Sequence, residues 1–234
     1  MSELAAKKSD LGTRTLSAIV MLAVTGTALW VGGWLWSSFA IMVAIVVLVE
    51  WFGLVRKFAK SGFPRVIWAL TGVVYIGSAG VFLAMLGNGW FMGGGRLGLV
   101  LSLLSVVVAT DTGAYFTGRA LGGPKIAPAI SPSKTWSGLF GGMILAAVVM
   151  AASTNFGVVN LGVPAALAVG AALAVVAQSG DFLESWMKRR AGVKDSGKLI
   201  PGHGGVFDRV DGLLAVTFAV GLVLLYSLAN STDL

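Results

Sequence analysis

Apolar residues run along this chain in seven long stretches, at about 15–33, 34–55, 66–86, 97–118, 136–153, 158–179 and 212–230, with short polar segments between them. Each approaches the roughly 20 residues that an α-helix needs to cross the hydrocarbon core of a bilayer. The pattern predicts an all-α fold: a polytopic transmembrane helical bundle of about seven spans. Boundaries that shift by a few residues also allow six or eight. The first stretch follows Lys7, Lys8 and Arg14, as the apolar region of a signal peptide would. It runs into Trp30, Trp34 and Trp36 without a small-residue cleavage site, so it reads as an uncleaved span. No tandem repeat or low-complexity linker interrupts the chain. Residues 1–234 read as a single integral membrane domain, with the polar chemistry confined to 97–230.

Composition agrees with that reading. Hydrophobic residues make up 56% of the chain and charged residues 12%, and the mean hydropathy is +0.88. A water-exposed domain carries about a quarter charged residues, so this surface is built for lipid. The 33 glycines suit close helix packing in a membrane. The chain has no Cys and a single His, His203, which excludes disulfides, thiolate metal sites and multi-His centres. A bound metal must then take oxygen ligands, which points to a hard cation such as Mg²⁺, alone or with a second cation.

The net charge of +7 follows the membrane topology and not a nucleic-acid surface. No long basic run or aromatic-interleaved basic stripe is present, so no nucleic-acid partner is expected. With the N-terminus in the cytoplasm, all but Arg96 of the 17 Lys and Arg fall on the inner side. The positive-inside rule expects that asymmetry. Two long inner loops result, about 119–135 and 180–211, whereas Gly87–Gly95 forms a short outer loop without catalytic groups.

The ten acids locate the chemistry. Glu3, Asp10 and Asp233 lie near the termini, and Glu50 lies near the end of a span. The other six, Asp111, Asp181, Glu184, Asp195, Asp208 and Asp211, occupy two stretches that also hold most of the later basic residues. Ionisable groups at membrane depth are costly and mark function by default. In the first stretch, Asp111, Tyr115 and Gly118 share a helical face, which places a carboxylate and a phenol inward, with Arg119 following. An interfacial Tyr and an ion-paired Asp would account for the same residues. The next segment carries Ser131, Lys134 and Thr135, donors suited to phosphate oxygens, although a solvated loop would look similar. In the second stretch, Asp181, Glu184, Ser185 and Lys188 line one helical face. Pro201 then breaks the chain, and Gly202, Gly204 and Gly205 form an open turn. Asp208 and Asp211 lie one turn apart at the start of the last span, where carboxylates suit the helix dipole and can hold a cation. A salt-bridged loop explains these charges, but not their interleaving with Gly, Pro and His. His203 could donate to a phosphate, move a proton or order the turn.

The second stretch resembles the phosphatidate cytidylyltransferase family, also called CDP-diglyceride synthases. The resemblance rests on Ser185, Lys188, Arg189, Lys194, Asp195, Gly197, Ile200, Pro201, the run His203-Gly204-Gly205-Val206, and Asp208-Arg209-Val210-Asp211, all within 27 residues. Asp111-Thr112-x-Ala114-Tyr115-x-x-Gly118-Arg119 and Ser131-Pro132-x-Lys134-Thr135 resemble family segments in the expected order. Before about residue 97 the likeness is hydrophobic character only. One departure stands out: Ser137 occupies a position where family members often carry an acid.

The resemblance implies attack of a phosphatidate oxygen on the α-phosphorus of CTP, giving CDP-diacylglycerol for phospholipid biosynthesis and releasing pyrophosphate. Asp181, Asp208 and Asp211 would form the metal centre, completed by Asp195 or Asp111, and Lys188, Arg189, Lys194 and Arg209 would contact phosphates. Ser131, Lys134 and Thr135 would help bind phosphatidate or the nucleotide, with Tyr115, Arg119, Ser185, His203, Gly204 and Gly205 also in the substrate site. It further implies a bacterial inner membrane, a site facing the cytoplasm and a homodimer. Two other functions share some of these features. A CTP-dependent lipid-alcohol kinase of the polyprenol or phytol type would release CDP instead of pyrophosphate. A transporter would place its charges near the midplane, whereas here they cluster at one face.

Overall fold

A computed structural model describes residues 2–89, 96–155 and 161–231. Seven helices follow one another: α1 (Ser2–Val31), α2 (Gly33–Phe58), α3 (Phe63–Gly87), α4 (Arg96–Leu121), α5 (Trp136–Asn155), α6 (Val163–Ala191) and α7 (Phe207–Ser231). Each contains a segment long and apolar enough to cross a membrane. The chain is an integral membrane protein with an all-α bundle. Most of the expected Gly87–Gly95 loop lies outside the described residues.

Local chemistry sets the helix ends. Gly62 adopts φ 72° before Pro64 opens α3, and Pro164 sits in the first turn of α6, where its missing N–H costs nothing. These signals place the start of α6 at Val163 and not near residue 158. At its other end α6 continues to Ala191, where Gly192 caps it in the left-handed region (φ 67°). The expected loop 180–211 is therefore helical through its first 12 residues. The other expected loop, 119–135, contains a short antiparallel hairpin, β1 (Lys125–Ala127) with β2 (Ser131–Thr135), in register Lys125 to Thr135.

Small residues let the helices approach. Between α4 and α5, a Cβ on Gly113 would meet the Gly141 carbonyl oxygen at 2.6 Å, and one on Gly142 would meet the Thr110 carbonyl oxygen at 2.8 Å. The face that α4 turns to α5 is accordingly Thr110, Gly113, Ala114, Thr117 and Gly118, at helical spacing. Between α2 and α3, Trp36 donates its indole N–H to Leu83 O (2.9 Å) and Trp51 donates to Trp68 O (2.8 Å). Gly87 and Gly72 leave room for the two indoles.

Two buried clusters result. One joins Trp36, Leu86, Val100, Leu103, Met150, Leu173 and Val216. The other gathers Trp51, Leu54, Ile76, Met187, Phe207 and Leu214 from α2, α3, α6 and α7. Trp68, Trp186 and Phe58 pack edge to face or tilted beside this second cluster, with ring centroids 5.2–5.8 Å apart. That aromatic platform packs the C-terminal part of α6, where acidic residues lie, against α2 and α3.

Candidate active site

Helix ends that are distant in sequence meet at one end of the bundle. The C-terminal turns of α2, α4 and α6 face the N-terminal turns of α5 and α7, with the hairpin and the 192–206 segment between them. Glu50, near the C-terminus of α2, organises one side. Its carboxylate accepts hydrogen bonds from Phe207 N (2.8 Å), Val206 N (3.0 Å) and Ser196 Oγ (3.0 Å). It thereby satisfies amides at the start of α7 that have no intrahelical partner, where the helix dipole also favours a negative charge. Gly197 and Gly205 flank it: a Cβ on Gly205 would come within 2.6 Å of a Glu50 oxygen. Glu50 carries no motif signal, since a lone acid near a span end has no fixed spacing to its partners.

Asp208 anchors the same segment from the opposite side. Its Oδ2 accepts from Gly205 N (2.8 Å), Ser196 N (2.9 Å) and Ser196 Oγ (2.9 Å), and its Oδ1 lies 2.7 Å from Lys188 Nζ. Lys188 also pairs with Glu184 at 2.6 Å. One ammonium thus joins α6 to α7, between carboxylates whose side chains are only 2% and 6% exposed.

Beyond Lys188 lies the acidic centre. Asp181, Glu184 and Asp211 place carboxylate oxygens within 4.8 Å of one another, and they are the one such group of acids among the described residues. Asp181 and Glu184 are three residues apart on α6, and α7 brings Asp211 against Gly180. A Cβ on Gly180 would meet the Asp211 carbonyl oxygen at 2.5 Å. Glu184 Oε1 is buried and has no hydrogen-bond partner. An orphaned buried carboxylate oxygen beside two further carboxylates is what a divalent cation would satisfy, so these residues fit a metal with oxygen ligands. Asp111 lies on exposed surface of α4 and interacts electrostatically with Lys134 and Asp181, as does Asp211.

The hairpin supplies a second cation. Lys134 of β2 forms an ion pair with Asp181 and also lies 5.2 Å from the centre of the Phe182 ring. Around it, Thr135 Oγ1 accepts from Gly138 N (3.1 Å) at the start of α5, and Arg189 Nε donates to Ile130 O (3.3 Å). Ser137, which replaces an acid common in the resembling family, donates its hydroxyl to Gly122 O and contacts Thr135 Oγ1 at 3.0 Å. It therefore closes the hairpin base. Ser131 is buried in the hairpin, and Ser185 Oγ donates to Asp181 Oδ1 (3.2 Å).

The remaining expected residues divide. Lys194, Asp195, His203, Gly204 and Arg209 line a cavity of about 470 Å³ next to the 192–206 segment. Arg209 Nη2 donates to His203 O (2.8 Å), and His203 N donates to Ile200 O (3.0 Å), which orders the Gly-rich turn. Tyr115 does not point inward as the spacing suggested. It is 57% exposed and its hydroxyl accepts from Arg119 Nη1 at 2.9 Å. The reason is the small-residue stripe: α4 packs through Gly113, Ala114, Thr117 and Gly118, and Tyr115 lies off that face.

Comparisons with known proteins show which family the sequence resembles. The sequence profile of the cytidylyltransferase family matches residues 65–227. The phosphatidate cytidylyltransferase of Brucella suis biovar 1 (strain 1330) is 39% identical over an alignment that covers 88% of this chain and 90% of that protein. The enzyme of the same name from Staphylococcus haemolyticus (strain JCSC1435) is 37% identical over 71% of this chain and 62% of its own length. That of Haemophilus influenzae (strain ATCC 51907 / DSM 11121 / KW20 / Rd) is 45% identical over 50% of this chain and 42% of its own. The chain belongs to the cytidylyltransferase family.

Proposed function

We propose that this family member transfers the cytidylyl group of CTP to phosphatidic acid, giving CDP-diacylglycerol and pyrophosphate. The observation that carries the reading is the meeting of Asp181, Glu184 and Asp211, with an unpartnered Glu184 oxygen and two lysines alongside, in a chain whose relatives are named phosphatidate cytidylyltransferase.

Both substrates are polyanions, so their mutual repulsion has to be offset before a phosphatidate oxygen can reach the α-phosphorus. Asp181, Glu184 and Asp211 would hold Mg²⁺, which when bound neutralises phosphate charge and orients the reacting oxygens. Lys134 and Lys188, each paired with an acid of the centre, stand ready to exchange part of that pairing for phosphate oxygens. As the new P–O bond forms, the bond from the α-phosphorus to the bridging oxygen breaks and its electrons leave with pyrophosphate. A fully ionised phosphatidate oxygen has no proton to lose, so the attack needs no general base. Lys194, Arg189 and Arg209 supply further positive charge, and Ser131 and Thr135 shape the hairpin that carries Lys134.

Asp208 differs in role from the ligand assigned to it by resemblance. Its carboxylate already accepts three hydrogen bonds and pairs with Lys188, which suits an anchor of the Gly-rich turn. Glu184 takes its place in the proposed metal set. Asp111 and Asp195 then act on the site through charge.

Phosphatidate keeps its acyl chains in the bilayer and CTP arrives from water, so the reaction belongs at a membrane surface. The basic residues gathered at the site end of the bundle support a cytoplasmic placement in a bacterial inner membrane, and a homodimer is the proposed assembly. The test is incubation of purified protein with phosphatidate and CTP labelled at either the α- or the γ-phosphate, with and without chelator. Lipid-borne α-label and free labelled pyrophosphate are expected. Lipid-borne γ-label with CDP would instead establish a lipid kinase, and absence of CTP binding would favour a transporter.

A further inference from the structure

The first span is the least embedded part of the bundle: 11% of its apolar window is buried, against 28–39% for the other six. It nevertheless reaches the site end through Ser17. Ser17 Oγ lies 2.9 Å from Pro201 O, across 184 residues of sequence, and 2.9 Å from Thr13 O of its own helix, so its one proton is shared between two acceptors. Beside it, Gly202 adopts φ 73°, and a Cβ there would meet Arg14 Cγ at 2.9 Å and lie 3.7 Å from Arg14 Cα. The glycine therefore serves two needs, a left-handed turn and close approach of the α1 backbone.

That contact places Arg14 in the wall of the 470 Å³ cavity, together with Lys194, Lys198, Arg209 and His203, and with Asp195 as the one acid among the described lining residues. Lys194, Lys198 and Arg209 carry like charge around this one small polar cavity and are stabilised when an anion enters, and Arg14 lies at the same wall. The positive-inside rule requires only that it lie on the inner side; it does not require that it close a pocket.

We propose that Arg14 is a substrate-binding residue: it completes, with Lys194, Lys198 and Arg209, a pocket for a phosphate group of one of the two substrates, and Ser17 on Pro201 positions it. The inference rests on the reading that both substrates carry phosphate. The shared chemistry is a phosphate monoester or diphosphate, which either a lipid headgroup or the nucleotide can present. Arg14 lines the pocket from α1, Lys194 and Lys198 from the 192–206 segment, and Arg209 from α7.

Calorimetric titration of the full chain in detergent with Mg²⁺, using inorganic pyrophosphate in one arm and a water-soluble short-chain phosphatidate in the other, tests this. Arg14→Ala is expected to weaken one of the two anions by about tenfold or more, the scale of a lost charge-assisted hydrogen bond, and Arg14→Lys to recover part of it. Ser17→Ala should shift the same anion in the same direction by less. A loss confined to short-chain phosphatidate assigns the pocket to the lipid headgroup, and a loss confined to pyrophosphate assigns it to the nucleotide. If Arg14→Ala fails to fold, Arg14→Gln and Lys198→Ala take its place and must weaken the same anion. Binding of both anions at wild-type strength by the variants, or of neither by the wild type, overturns the proposal. Turnover of CTP by the wild type is scored separately, so a failed reaction and a failed pocket are told apart.

Discussion

Lys188 Nζ lies 2.6 Å from Glu184 Oε2 and 2.7 Å from Asp208 Oδ1, so one ammonium links the acidic centre to the anchor of the Gly-rich turn. Glu184 belongs to the group that can hold a cation, and Asp208 holds the segment that carries Lys194, Asp195 and His203. The site and its support meet at this ammonium, and substitutions on its two sides should separate them.

Replacing Lys188 by Met leaves two nearly buried carboxylates without their partner. Breaking such a pair costs about 3–5 kcal/mol. Thermal unfolding in detergent is expected at clearly lower temperature, with pyrophosphate release reduced at least about a hundredfold, since a phosphate contact is lost as well. A variant with wild-type stability would show that Lys188 is not needed to balance the pair.

Binding of Mn²⁺, followed by electron paramagnetic resonance, distinguishes ligands from anchors without relying on turnover. Asp181→Asn, Glu184→Gln and Asp211→Asn should each weaken it by about tenfold or more, in line with the loss of one charged oxygen ligand. Asp208→Asn should leave Mn²⁺ affinity within about threefold while lowering thermal stability, as hydrogen bonds to a charged group are worth about 1.5–3 kcal/mol. Equal losses for Asp208 and Asp211 would return Asp208 to the metal set.

Glu50 touches none of the acids in the proposed centre, yet it holds the start of α7. Glu50→Ala removes acceptors from two amides and one hydroxyl, at an expected cost of about 3 kcal/mol. The measurable results are a lower unfolding temperature and faster proteolytic cleavage within 192–206, with Mn²⁺ affinity falling less than in Asp211→Asn. An uncleaved, fully stable variant would sink this role.

The α4–α5 contact tolerates no side chain at Gly113, where a Cβ would lie 2.6 Å from the Gly141 carbonyl oxygen. Gly113→Val is expected to destabilise by about 1–3 kcal/mol or more, because two backbones have to separate. Since the hairpin follows α4 and leads into α5, Lys134 should move with them, and kcat should fall alongside stability. Unchanged kcat in a folded Gly113→Val variant would show that the hairpin is positioned independently.

Several features could be read directly along the chain. Seven apolar stretches predicted seven helices, because each crossing needs its own uninterrupted run of about 20 residues whatever its neighbours do. The face carrying Asp181, Glu184, Ser185 and Lys188 was legible for a related reason: a helix fixes the relation of residues three and four apart. Local signals also account for what was misplaced. The α6 start at Val163 follows Gly162 and precedes Pro164, and the outward turn of Tyr115 follows from the small-residue stripe that α4 gives to α5.

The amino-acid sequence by itself determined the membrane class, the number of helices and the stretches that hold the charge, because those properties depend on composition and on spacing within one helix. Only the tertiary structure decided that Glu184 joins Asp181 and Asp211, that Asp208 and Glu50 hold the start of α7, and that Arg14 reaches the pocket beside Gly202. Those relations span up to 188 positions of chain between Arg14 and Gly202. They are set by how close glycine-lined helices can approach, and no periodicity within a single helix encodes that distance.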